Sequence, residues 1–332
     1  MDRDPERDLS TQGSCAHVRG RRSGNSVFFC PTLRLRPADP AVFATEGPRN
    51  LVRMDGNMAQ EKVRITDLPR MKAAGTPITM LTAYDYPFAR IFDQAGVDIL
   101  LIGDSLGMVV QGADSTLPVT LSDILYHLKM VVRARRRALV VADLPFLSYQ
   151  VSPEQALRNA GRLIKEGAEG VKLEGGTTMA ETIRRLVEVD IPVMGHIGLT
   201  PQSIHRMGGH RVQGRRAGRG AGCRERLVDD AVAVEQAGAF SLVLEGIPAP
   251  LAAEITGRLT IPTIGIGAGP SCDGQVLVMH DMLGLSENFV PRFAKPYARL
   301  WQEATAATAS YIREVRERAF PAEQHCYGTK GS

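Results

Sequence analysis

Eight short apolar runs constrain this chain more than any other feature. They are Ile78–Thr82, Ile99–Gly103, Ala138–Ala142, Gly170–Leu173, Pro192–Gly195, Ser241–Leu244, Thr263–Gly267 and Gln275–Met279. Each is apolar on both faces, as a parallel strand covered on both sides must be, and none shows the alternation of a half-exposed strand. Parallel neighbours need crossovers, and the intervening segments supply helices with readable ends. Thr120 and Asp123 form a capping-box-like start for a helix reaching about Arg135. Ser152 and Pro153 open another that closes before Gly167. Residues 178–189, 224–237, 249–258 and 296–318 carry further amphipathic patterns. Eight such units over about 230 residues predict a closed (β/α)8 barrel of the α/β class. A doubly wound open sheet is the alternative. It would carry a glycine-rich phosphate turn after its first strand, where this chain has Thr82-Ala83-Tyr84-Asp85. Gly265-Ile266-Gly267-Ala268-Gly269 follows the seventh run instead and reads as a tight turn or a backbone site for a substrate oxyanion.

Residues 1–57 lack this periodicity and read as a disordered or non-native N-terminal extension, with Met58 as the start of a single barrel over 58–332. Charge separates the same regions. The chain carries +4 overall, but residues 1–57 hold +2 and residues 206–226 hold +6, leaving −4 elsewhere. That distribution argues against a general polyanion binder. A nucleic-acid-binding role would rest on the short stretch Arg215 to Gly222 alone, which has no interleaved aromatics. No apolar run reaches the roughly 20 residues that span a bilayer. Five scattered cysteines without a CxxC predict reduced thiols in a cytoplasmic protein.

In a parallel barrel the chemistry gathers at the C-terminal strand ends. The polar residues that interrupt the apolar texture fall there. Asp85 follows the first run, Asp104 and Ser105 the second, and Asp143 the third; Lys172 and Glu174 flank the end of the fourth, and His196 and Glu245 follow the fifth and sixth. Asp104 and Asp143, on neighbouring strands, suit Mg2+, which keeps positions open for a bidentate 2-oxo acid. The competing reading has one Asp capping a helix and the other paired with Lys172. Lys172 and Glu174 share a strand face. They form either a structural ion pair or an ammonium that stabilises an enolate beside a carboxylate that orients metal-bound water. His196 alone reads as a structural histidine or a ligand. Glu245, a charge leaving a buried strand, suits either a general base for a carbon acid or a helix N-terminal carboxylate. His280 and Asp281, after the eighth run, read as structural.

These residues stand in longer strings: Leu81-Thr82-Ala83-Tyr84-Asp85, Gly103-Asp104-Ser105-Leu106-Gly107-Met108, Ala142-Asp143-Leu144-Pro145-Phe146, Val171-Lys172-Leu173-Glu174-Gly175-Gly176 and Gly195-His196-Ile197-Gly198-Leu199-Thr200-Pro201-Gln202-Ser203. With Val243-Leu244-Glu245 and Asp273-Gly274-Gln275 they make the chain resemble the ketopantoate hydroxymethyltransferase family from about Ile65 to Tyr327. The resemblance implies a (β/α)8 barrel of the pyruvate/phosphoenolpyruvate superfamily. It implies Mg2+-dependent transfer of a hydroxymethyl group from 5,10-methylenetetrahydrofolate to 3-methyl-2-oxobutanoate. By position, Asp104, Asp143 and Glu174 correspond to the metal shell. Asp104, Ser105, Asp143, Lys172 and His196 correspond to substrate-binding residues, and Glu245 to the catalytic base. It also implies a homo-oligomer, often a decamer, with helix 296–318 packing between subunits. The chain departs from the family pattern over Arg216 to Arg226, an arginine- and glycine-rich stretch expected in a loop on the catalytic face. A lyase of oxo acids from the same superfamily is the other enzymatic reading, and a Schiff base on Lys172 the other mechanism.

Overall fold

The computed structural model describes residues 61–218, 220–286 and 291–328. The expected extension at 1–57 and its boundary at Met58 lie outside the described residues. Eight strands, β1 (Ile78–Thr82), β2 (Ile99–Ile102), β3 (Leu139–Asp143), β4 (Gly170–Glu174), β5 (Val193–Gly198), β6 (Ser241–Glu245), β7 (Thr263–Ile266) and β8 (Gly274–Leu277), pair in sequence order. All neighbours are parallel, and β8 returns to β1 to close the barrel. Around it run α1 (Leu68–Ala73), α2 (Tyr86–Ala95), α3 (Leu106–Val109), α4 (Leu121–Ala134), α5 (Pro153–Lys165), α6 (Ala180–Val187), α7 (Ile204–Met207), α8 (Arg224–Gln236), α9 (Ala249–Arg258), α10 (Met279–Leu283) and α11 (Leu300–Arg316). The helix starts follow local chemistry. The Thr120 hydroxyl accepts from the Asp123 N–H while the Asp123 carboxylate accepts from Thr120, and Ser152 caps α5 ahead of Pro153.

Strand alternation divides the apolar residues into two cores. Ile99 and Leu101 of β2, Leu139 and Val141 of β3, Met194 of β5, Val243 of β6 and Ile264 and Ile266 of β7 fill the barrel interior. The intervening Leu100, Ile102, Val140, Val171, Leu173, Leu242 and Leu244 pack outward under the helices. This is why the runs read as apolar on both faces. The inner columns also decide where the polar residues point. Asp143 continues the column of Leu139 and Val141, His196 that of Met194, and Glu245 that of Val243. Lys172 and Glu174 share the inward parity of β4, because Val171 and Leu173 face out.

Four strands run further than the apolar runs suggested, whereas β2, β7 and β8 stop one or two residues short. β5 extends to Gly198 and so includes His196, and β3, β4 and β6 end on Asp143, Glu174 and Glu245 themselves. Hydropathy stops where the site begins, but the hydrogen-bonded ladder continues. Asp85 departs from the rim pattern: its side chain accepts from the Phe88 N–H and caps α2, a helix that composition alone did not expose. Helix 296–318 is present as α11, which has no buried residue.

Gly198, with φ +99°, holds the β5–β6 rim together. A Cβ there would lie 2.2 Å from the Glu245 carbonyl oxygen, which also accepts from the Leu199 N–H at 2.8 Å. Gly198→Ala is therefore expected to lower stability by about 2 kcal/mol or more through backbone strain and lost contact. An unchanged urea midpoint would contradict this.

Candidate active site

The C-terminal strand ends open into a cavity of about 1790 Å3 whose walls include Asp104, Ser105, Asp143, Lys172, Glu174, His196 and Glu245. Sequence positions spread over 142 residues meet here because the ladder aligns them. Asp143 pairs in register with Lys172, and Glu174 with His196. The Lys172 ammonium stands 3.0 Å from Asp143 Oδ1 as an ion pair across the β3–β4 seam, not along its own strand with Glu174. The contact is off hydrogen-bond alignment, and that buried oxygen has no hydrogen bond. Asp143 Oδ2 accepts from the Asp104 N–H at 3.0 Å. His196 lies between two carboxylates, with Nε2 3.1 Å from Glu245 Oε2 and Nδ1 3.5 Å from Glu174 Oε1. Its Nδ1 is also 3.4 Å from Lys172 Nζ.

Glu174 is not grouped with Asp104 and Asp143 as a third direct ligand. Its Oε2 accepts from the Gln202 N–H at 3.1 Å, and Gln202 Nε2 donates to Asp104 Oδ2 at 2.8 Å. Gln202 thus bridges the two acids, and among the described residues no three His, Cys, Asp or Glu side chains converge as a metal site. Asp104 and Asp143 remain the pair that fits a divalent cation. In this network four carboxylates, Asp104, Asp143, Glu174 and Glu245, share one ammonium and one imidazole. With every group charged, the deficit is two positive charges, and one carboxylate oxygen of Asp143 is buried without a hydrogen bond.

Electrostatics follow from burial. Desolvation, with Glu174 nearby, pushes the Asp104 carboxyl up to about 6 against the pull of Lys172 and the Gln202 hydrogen bond. Desolvation, with Asp104, pushes Asp143 up to about 6 despite Lys172. Burial would lower Lys172, but Asp143, Asp104 and Glu174 outweigh it and hold the amine above the ordinary lysine range. Burial and Lys172 would likewise lower His196, yet Glu174 and Glu245 raise it to about 9. Glu245 is the more accessible acid of the network, its side chain 16% exposed.

Three supporting residues escaped the reading of strand ends. Gln202 lies in the turn after β5, fixed by the Tyr149 hydroxyl donating to its Oε1 at 2.9 Å. Tyr84 is buried, with its hydroxyl 2.8 Å from Ser105 Oγ and its ring against His127 and His280. Nothing marks such partners in a sequence, because glutamine and tyrosine acquire their roles from what surrounds them. His280 and Asp281 line the same cavity. His280 keeps a structural contact in the Tyr84 ring although its Nδ1 is buried without a hydrogen bond, and among the described residues the Asp281 carboxylate has neither a hydrogen bond nor an ion pair.

The described residues of the atypical stretch make up the latter part of the loop between α7 and α8 and the first turn of α8, on the side of the barrel where β5 ends. His210 and Val212, which precede the atypical stretch in the same loop, line the cavity, whereas none of the described residues between Arg216 and Arg226 does. The loop closes on itself where Gly214 N–H donates to the Gly222 carbonyl at 2.8 Å and Arg224 N–H to the Arg216 carbonyl at 2.7 Å. Gln213 N–H reaches the carbonyl of Gly246, next to Glu245, at 2.9 Å. Arg224 pairs with Glu254, and Arg226 with Asp230 at 3.1 Å. Two of the basic groups are thus neutralised within the fold.

A closed parallel barrel with inward carboxylates, a lysine and a histidine at its C-terminal rim defines a class of barrel enzyme, and solved structures of that shape exist. A phosphoenolpyruvate phosphomutase from Streptomyces platensis aligns over 80% of this chain and 92% of its own, with TM-score 0.53 and 13% identity. A 2,3-dimethylmalate lyase of the PEP mutase/isocitrate lyase superfamily aligns over 81% and 91%, with TM-score 0.51 and 20% identity. At such identities they show the fold alone. The family is shown by sequence: residues 62–323 match the model of the ketopantoate hydroxymethyltransferases, and the chain belongs to that family. It is 58% identical over 269 residues to a 3-methyl-2-oxobutanoate hydroxymethyltransferase of Pelobacter propionicus, covering 81% of this chain and 98% of the relative. It is 59% identical over 267 residues to the enzyme of that name from Geobacter metallireducens, covering 80% and 98%.

The raised Asp104 carboxyl gives a pH signature. A group whose folded-state value lies above its unfolded one contributes stability that is full below about 4 and lost as pH rises through about 6. Relative to Asp104→Asn, the metal-free protein is expected to lose about 2–3 kcal/mol across that window. Parallel urea-midpoint curves for the two proteins would refute the assignment.

Proposed function

We propose that the chain transfers the one-carbon unit of 5,10-methylenetetrahydrofolate to C3 of 3-methyl-2-oxobutanoate, giving 2-dehydropantoate and tetrahydrofolate with one water consumed. The observation that carries this reading is the convergence of Glu245 and Lys172 on one cavity from opposite sides of His196, beside the carboxylate pair. Asp104 and Asp143 would hold Mg2+, which when bound supplies Lewis-acid polarisation of the oxo acid's carbonyl and carboxylate. Ser105, whose Oγ lies 2.8 Å from the Tyr84 hydroxyl, would bind the substrate carboxylate. Glu245 takes the C3 proton, and His196, held between Glu245 and Glu174, keeps that carboxylate aimed into the cavity. The Lys172 ammonium lies where negative charge develops on the enolate oxygen. Water adds to the donated carbon as the donor's two carbon–nitrogen bonds break, its protons passing to the nitrogens and leaving tetrahydrofolate and a formaldehyde-level carbon. The C3 enolate bonds to that carbon, and the proton held by Glu245 goes to the resulting alkoxide to give the hydroxyl.

The state of Lys172 favours this route over a Schiff base. An amine held protonated by three carboxylates is a donor of positive charge and a poor nucleophile. Glu245→Gln is expected to reduce exchange of the C3 proton with deuterated water by 10²- to 10⁴-fold while oxo-acid binding persists. Exchange at the wild-type rate, or borohydride trapping of substrate on Lys172, would sink the mechanism.

We further read the protein as a cytoplasmic homo-oligomer, decameric by family resemblance. Among the described residues, Cys223, Cys272 and Cys326 are free thiols, and no helix is long and apolar enough to cross a membrane. On α11, Tyr311, Ile312 and Val315 are at least 40% exposed, an apolar surface of the kind that subunit contacts cover. The double variant Tyr311→Asp, Ile312→Asp should sediment as a smaller species than the wild type. Identical sedimentation would remove α11 from the interface.

A further inference from the structure

We infer that Asp281 is the docking point for the pterin ring of the folate donor, its carboxylate accepting the N3–H and 2-amino hydrogens of the pyrimidine edge. The inference rests on the reading above that a reduced folate supplies the carbon. Asp281 lies at the start of α10, directly after β8, on the wall of the cavity that holds Asp104. It is 9% exposed, yet among the described residues it has neither a hydrogen bond nor an ion pair, and its own helix does not use it as a cap. Desolvation pushes the carboxyl up to about 6.

Its surroundings narrow the ligand. His280 lines the same wall, with Nδ1 buried and unpartnered, and its ring lies 5.7 Å from that of Tyr84, the residue that holds Ser105. This wall therefore adjoins the oxo-acid side of the cavity. Phe293 and Trp301 also line the cavity and are 44% and 41% exposed. Phe293 rests against Gly267, where a Cβ would come within 3.0 Å of its ring. The anionic oxo acid has no reason to approach an unpaired carboxylate. No three-residue metal-ligand group exists here among the described residues. A flat heterocycle presenting two parallel N–H donors meets both demands: aromatic contact, and a two-point hydrogen bond to the carboxylate.

The test is tetrahydrofolate binding to the full-length protein by calorimetry, for the wild type and Asp281→Asn, with 3-methyl-2-oxobutanoate binding measured in each sample. Asparagine offers one acceptor and a clashing donor, so tetrahydrofolate should bind at least tenfold more weakly while the oxo acid binds as before. A tetrahydrofolate analogue lacking the 2-amino group should show a similar loss against the wild type, which decides the matter even if the variant fails to fold. Equal binding of tetrahydrofolate to both proteins, or equal binding of the analogue and tetrahydrofolate to the wild type, would overturn the subsite and leave the donor reading intact. A wild type that binds no tetrahydrofolate would overturn both.

Discussion

The parallel ladder between β3, β4 and β5 is the constraint on which the rest of the site depends. Its register places Asp143 beside Lys172 and Glu174 beside His196, so two carboxylates and two cationic groups are held in a buried patch by backbone hydrogen bonds. Such charges would be prohibitive singly. Together they neutralise one another except for a negative excess centred on Asp104 and Asp143. The fold tolerates that excess because these residues end strands whose earlier members are ordinary barrel core. Stability lies in the lower layers, and unsatisfied charge is confined to the rim.

That arrangement explains how the side chains divide their work. Lys172 is held as a cation by its acidic neighbours, Asp143, Asp104 and Glu174. Glu245 is the network's most accessible carboxylate, and its hold on His196 fixes its direction without burying it. Glu174 acts at one remove, through Gln202 and His196. The acids differ in role because their neighbours differ, although all four are simple carboxylates at strand ends.

The barrel and most of the rim were legible because periodicity and strand parity are local properties. β1 and α9 match the expected bounds, and the remaining strand ends shift by up to three residues. The outward shifts of β3 to β6 have one cause: apolar runs stop at the first polar residue, whereas the ladder continues through Asp143, Glu174, His196 and Glu245; β2, β7 and β8 instead stop one or two residues short of their apolar runs. Asp85 shows the opposite error. A strand-end aspartate looks the same in sequence whether it faces the cavity or caps the next helix, and here the Phe88 N–H claimed it.

By itself the sequence determined the fold class, the strand-end positions of the acids, the lysine and the histidine, and the family to which the chain belongs. These follow from alternation, capping chemistry and ordered strings along one chain. Only the tertiary structure decided that Lys172 pairs with Asp143 and not with Glu174, that Gln202 bridges Glu174 and Asp104, and that Asp281 faces the cavity without a partner. Each of those outcomes depends on side chains brought together across the barrel from distant positions. Distances through space and competition for donors settle them, and neither is written in the order of residues.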